Sequence, residues 1–124
     1  MRILICLVAL IPAPAWGEWV RVSENPMLAT YIDPATIRKI GDLVQVMQLQ
    51  DLRQRHADGE MSRQSLQEYD CKGRRSRGLT VSAHSESMAR GKTLGSDSKP
   101  GQWISIPSWY TNAGNNVLKI VCAK

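Results

Sequence analysis

The chain contains no phenylalanine, only two histidines and only three cysteines, and each scarcity removes a class of chemistry. Without Phe, a core must be assembled from Trp, Tyr and aliphatic side chains. His56 and His84 are not part of a His-Glu-x-x-His segment, which leaves out a helix-borne zinc hydrolase site. No Gly-x-Ser-x-Gly turn is present to raise a nucleophilic serine. The longest apolar run, Ile3 to Ile11, is nine residues, less than half of the ~20 that a helical membrane span requires. Internal repeats and low-complexity tracts are also missing, so the sequence reads as one unit.

The apolar run has a different meaning. Met1 and Arg2 give it a positive start, Pro12 and Pro14 break it, and small residues follow. That is the layout of a secretory signal peptide. Cleavage fits after Ala15 or after Gly17, and Gly17 is preferred because Trp19 opens the strand-like pattern. The expected organisation is therefore a signal peptide over residues 1–17 and one domain over 18–124. The mature part keeps 107 of the 124 residues and carries 15 basic against 11 acidic side chains, a net charge of +4. Such an excess tolerates anionic partners without compelling one.

Export also interprets the cysteines. Cys6 departs with the signal, and it lacks the small residues that precede a lipid-attachment cysteine. Cys71 and Cys122 then remain in an oxidising compartment, where they are expected to pair. In the chain-entropy model, closing a loop of about 52 residues is worth ~4 kcal/mol. Two cysteines without neighbouring histidines cannot fill a tetrahedral metal site.

The mature sequence reads mainly as strands. Residues 19–23, 28–33, 43–52, 61–71, 75–84 and 103–106 alternate or are rich in strand formers, and Glu24-Asn25-Pro26, Gly41-Asp42, Asp58-Gly59 and Lys72-Gly73 punctuate them. Residues 34–40 suit one helical turn, capped by Asp33 with Pro34 in first position. Residues 90–92 and 96–101 read as loops. The last apolar segment, 117–122, fits either a strand or a helix, because Gly114, Asn115 and Asn116 are weak helix formers. About four to six antiparallel strands with one terminal helix make an α+β domain.

Chemistry-bearing residues are few. His84-Ser85-Glu86-Ser87 gathers a base, hydroxyls and a carboxylate, but triads are assembled in space, so adjacency in sequence does not signal one. Asp33, Asp51 and Asp70 fall at strand ends and are expected to hold backbone or arginine hydrogen bonds. Lys72, Arg74, Arg75 and Arg77, with Arg90 and Lys92 a little later, form the one candidate partner-binding basic patch. Its competing reading is a solvated turn with ion pairs to Glu68 and Asp70. Nucleic acid is disfavoured, since no aromatics are interleaved with these cations. Trp19 and Trp103 are expected in the core, and Trp109 and Tyr110 in the core or against the helix, with an exposed contact surface as the other reading. No catalytic residue, cofactor or metal ligand is expected.

Four segments carry a resemblance. They are Trp19; Tyr31-Ile32-Asp33-Pro34 with Ile37-Arg38 and Gly41; Ser65 to Cys71 (SLQEYDC) running into Arg74 to Arg77; and Ser87-Met88 with Gly91-Lys92 before Cys122. In this order and spacing the chain resembles the surface-adhesin protein E family of bacterial exported proteins. The resemblance implies an antiparallel sheet of about six strands with a C-terminal helix on one face, tied to it through Cys71 and Cys122. It also implies a non-catalytic module that binds host matrix or serum proteins, and homodimers. Family members displayed on the cell surface are lipoproteins, so without an attachment cysteine a periplasmic or released protein is expected at least as readily as display on the cell surface. A structural or accessory protein of an envelope complex is the alternative function.

Overall fold

The computed structural model describes residues 18–109 and 112–123. The expected signal segment with its cleavage sites and Cys6, together with Tyr110, lies outside the described residues. Seven strands build one antiparallel sheet: β1 (Val20–Glu24), β2 (Leu28–Ile40), β3 (Leu43–Leu52), β4 (Ser62–Asp70), β5 (Arg75–His84), β6 (Thr93–Asp97) and the two-residue β7 (Ile104–Ser105). The order β1 to β6 follows the chain, and β7 pairs with β5 beyond the end of β6. One helix, α1 (Ala113–Val121), closes the fold. The α+β architecture read from the sequence is thus the one observed.

Alternation decides which side of the sheet is dry. Val44 and Val46 of β3, Ile32 of β2 and Tyr69 of β4 lie on one face and pack with Val117, Leu118 and Val121 of the helix and with Ile106. Gln45, Glu68, Asp70, Arg75 and Arg77 fall at the intervening positions and share the other face. Helix α1 is intrinsically poor, so its support is tertiary. Asn112 caps it by accepting from Asn115 N at 2.8 Å. Asn116 donates to Val22 O of β1 at 3.1 Å. Its far end is fastened by the Cys71–Cys122 disulfide. The helix reading of 117–122 is the observed one.

Two segments depart from expectation. Residues 34–40 form no helical turn, because β2 runs through them to Ile40. Asp33 does bond forward, accepting from Ala35 N at 3.1 Å, but the sheet recaptures the chain at Arg38, which pairs with Gln45. Pro34 has no N–H to offer the ladder, so the intervening residues bulge. Thr36 bridges the gap: its hydroxyl donates to Asp33 O at 2.7 Å and accepts from Met47 N at 2.9 Å. The second departure is β6, which takes in Ser96 and Asp97 from the expected loop. All five of its residues are exposed, so no buried face marked it as a strand.

Between β5 and β6 the chain folds back over the sheet at Ser87–Ala89. Met88 N donates to Asp51 Oδ1 and Ala89 N to Ser62 Oγ, both at 2.9 Å, while Met88 and Ala89 take φ of 61° and 60°. Such left-handed backbone is costly for side-chain-bearing residues, and these anchors hold it. Thr30 of β2 is the opposite case, since its Oγ1 is buried with no partner among the described residues. Thr30→Val keeps the branched shape and removes that orphaned hydroxyl. It is expected to raise stability by about 1 kcal/mol, read as a higher urea midpoint at unchanged slope.

Candidate functional site

The basic cluster is built by the tight β4–β5 connection, Cys71 to Arg74. Asp70 Oδ1 accepts from Gly73 N at 3.0 Å, and a Cβ on Gly73 would come within 2.6 Å of Asp70 Oδ2, so a side chain there would displace the carboxylate that shapes the turn. The Gly73 N–H, and after it the Arg75 guanidinium, hold the Asp70 carboxyl below its ordinary value and keep it ionised. Arg74 closes the turn with φ of 49°.

That backbone twist separates the four neighbouring cations. Lys72 points outward to Asp42 at 3.2 Å. Arg74 turns inward instead: Nη2 donates to Asn115 Oδ1 of the helix at 2.7 Å and Nε to Ile106 O at 3.3 Å. It is a brace between turn, tail and helix. Arg75 and Arg77 project from the sheet face away from the helix. Arg75 Nε donates to Asp70 at 2.9 Å, and Arg77 reaches Glu68 Oε1 through Nε at 3.0 Å and Nη2 at 2.8 Å. Glu68, only 5 % exposed, also accepts from Gln45 Nε2 at 3.0 Å. Arg90 and Lys92 lie past the other end of β5, which spans roughly 30 Å at ~3.3 Å per residue. The six candidate residues therefore form two separate groups.

Trp103 joins the first group. It is half-buried rather than a core residue, as is Trp19. Pairing of β7 with Arg75 and Ser76 of β5 brings its indole to the two arginines, whose guanidinium carbons lie 4.6 and 4.5 Å from the ring centroid. Both distances are within cation–π range. Each arginine is thus fixed twice, by a carboxylate and by the ring. Trp109, expected in the core or against the helix, is 78 % exposed.

The remaining candidates hold structure. Along β3, the register places Asp70 opposite Leu43, Asp33 opposite Met47, and Asp51 at the far end. They stand four residues apart, or ~13 Å in a strand, too far to act as a carboxylate pair. His84 is buried at the end of β5 with Nε2 2.8 Å from Ser82 Oγ. Among the described residues no group of three His, Cys, Asp or Glu side chains could hold a metal ion, and no helix is long and apolar enough to cross a membrane.

A family model described as surface-adhesin protein E matches residues 19–123, nearly all of the described domain. The chain belongs to the surface-adhesin protein E family. Solved structures of Haemophilus influenzae protein E share its fold. Crystal form II superposes with a TM-score of 0.64 at 16 % identity, covering 85 % of this chain and 87 % of that one. The selenomethionine form gives 0.66 at 15 %, covering 85 % of each. Protein E from the non-typeable organism gives 0.60 at 16 %, covering 90 % and 81 %. Comparison with curated proteins by sequence finds no match. The surface-adhesin protein E segment Glu68 to Cys71 sits where the sheet meets the tail. Glu68 fixes Arg77, Tyr69 enters the core, Asp70 shapes the turn and Cys71 carries the disulfide.

Proposed function

We propose that this surface-adhesin protein E member is exported, cleaved after Gly17, and binds a macromolecular partner without catalysis, through the surface centred on Arg75, Arg77 and Trp103. The observation that carries this reading is the pair of guanidinium groups 4.6 and 4.5 Å from one indole ring on the sheet face opposite the helix. Arg and Trp supply a large share of binding energy at protein interfaces. Here their side chains are already ordered by Asp70, Glu68 and each other, so less rotamer entropy is lost when a partner docks. Lys72 lies at the rim, and Arg90 and Lys92 belong to a second, distant contact.

The partner is a host matrix or serum protein, or an envelope protein of the same cell. Immobilised matrix and serum proteins and a solubilised envelope fraction, offered to the purified domain, separate these. Arg75→Ala/Arg77→Ala is expected to weaken binding by about 30-fold, the equivalent of ~2 kcal/mol at a hot spot. Equal affinity in wild type and double variant, or binding by neither, defeats the proposal.

A further inference from the structure

Next to the Arg–Trp cluster the outer edge of β5 is unevenly covered. β7 pairs only with Arg75 and Ser76, and β6 pairs from Val81 onward. Two hollows open there, of about 260 and 410 Å³, and they share Thr80, Val81 and Asp97 in their walls. The first is floored by Met47 and lined by Gln64, Thr80, Ser82 and Ser96. The second extends past Gln102 to Trp103.

The register explains the lining. Gln64 of β4 pairs with Ser82 of β5, which pairs with Ser96 of β6. Three short polar side chains therefore stand in one row across the sheet, ~4.8 Å apart. Met47, Leu66 and Thr80 make the adjacent row on the same face. Ser82 is steadied by His84 Nε2 at 2.8 Å. The side chains of Gln64, Thr80 and Ser96 enter no hydrogen bond or ion pair with another described residue. They remain available to a ligand.

We infer that this groove is a saccharide site that takes a neutral oligosaccharide. A pyranose ring offers hydroxyls at its rim and C–H groups on its face. The groove matches that pattern with a line of amide and hydroxyl groups, an apolar methionine floor and an indole at its outer end. A row ~4.8 Å in pitch is comparable with the span of one such ring. A phosphorylated ligand fits poorly, because among the described residues the charged ones lining the two hollows are Lys99 and Asp97, one of each sign. An added peptide strand fits poorly as well, because Gly101 N already occupies Gly78 O at 2.8 Å. The inference is independent of the macromolecular reading and uses different residues, Trp103 excepted.

Amide chemical shifts of the oxidised domain, followed while chitotetraose or cellotetraose is titrated to about 10 mM, a range that captures millimolar binding, test it. Shifts are expected at Gln64, Thr80, Ser82, Ser96 and the Trp103 indole. The N-acetylated and plain sugars distinguish the source: a response to chitotetraose alone marks an N-acetylhexosamine chain, and a response to both marks recognition of ring hydroxyls. Thr80→Leu and Ser96→Leu, at exposed positions, should each weaken the response about tenfold with the rest of the spectrum unchanged. Arg75→Ala/Arg77→Ala should leave the shifts at Gln64, Thr80, Ser82 and Ser96 intact while weakening macromolecular binding about 30-fold. No shift with either sugar, or shifts that both leucine variants retain, or shifts lost in the arginine double variant, would each overturn the site.

Discussion

Replacing Cys71 and Cys122 with serine is expected to lower the stability of the domain by about 4 kcal/mol in the chain-entropy model. The bridge closes a separation of 51 residues, so its removal returns a long loop's freedom to the unfolded chain. The folded state loses something more specific. Cys122 is the C-terminal cap of α1, and Cys71 leaves β4 directly after the buried Tyr69 and the turn-forming Asp70. Without the bridge, the short helix is held by Val117, Leu118 and Val121 in the core, by the Arg74–Asn115 bond, and by Asn116 on Val22. At ~4–8 °C per kcal/mol for a domain of about this size, the midpoint should fall by roughly 15–30 °C. Scanning calorimetry of the double variant, beside wild type with and without reductant, measures this. A fall of only a few degrees would show that the apolar seam alone secures the helix, and the staple reading would be wrong. Amide exchange adds a second readout, since protection in α1 should drop further than protection in β3 and β4.

How much of this could be read from the sequence depends on how each element declares itself. β3 and β5 have the bounds expected from the sequence; β3 is paired along its whole length on both sides, which imposes an inward and outward periodicity, and β5 is delimited by the turn at Lys72-Gly73 and the loop after His84. β2 hid behind Asp33-Pro34, a pair that starts helices as readily as it bulges strands, and only the pairing of Arg38 with Gln45 decides between them. β6 has no buried face at all, and its edge position left no pattern to detect. For the site, the local clustering of Lys72, Arg74, Arg75 and Arg77 was visible, but its division was not. Arg74 turns inward because of a left-handed backbone and a buried asparagine far along the chain. Trp103 reaches the arginines only through the two-residue β7, so looking for aromatics interleaved among the cations could not find it. The polar row Gln64–Ser82–Ser96 is likewise a product of register, with one member in each of three strands.

Tyr69 is where fold and site depend on each other most closely, and Tyr69→Ala is expected to cost about 3–5 kcal/mol. The ring is 1 % exposed and belongs to the cluster that seats α1. Its hydroxyl donates to Gln48 Oε1 at 2.6 Å, and burial raises the phenol's pKa above its ordinary value, so it stays protonated as that donor. Two terms are combined here, and Tyr69→Phe separates them. The phenylalanine keeps the packing but leaves the buried Gln48 amide without its donor, a loss of about 1–3 kcal/mol. The difference between the two variants is then the cavity. Urea denaturation of both, with the disulfide intact, gives each value directly. The neighbours of Tyr69 in β4, Glu68 and Asp70, point to the opposite face and hold Arg77 and Arg75. Loss of the ring should therefore disturb partner binding only by loosening the strand. Tyr69→Phe, which retains the packing, should bind as wild type does even while it unfolds at lower urea. If Tyr69→Phe instead binds as poorly as Arg75→Ala/Arg77→Ala, the partner engages the helix side of the sheet, and the arginine–tryptophan face has another purpose.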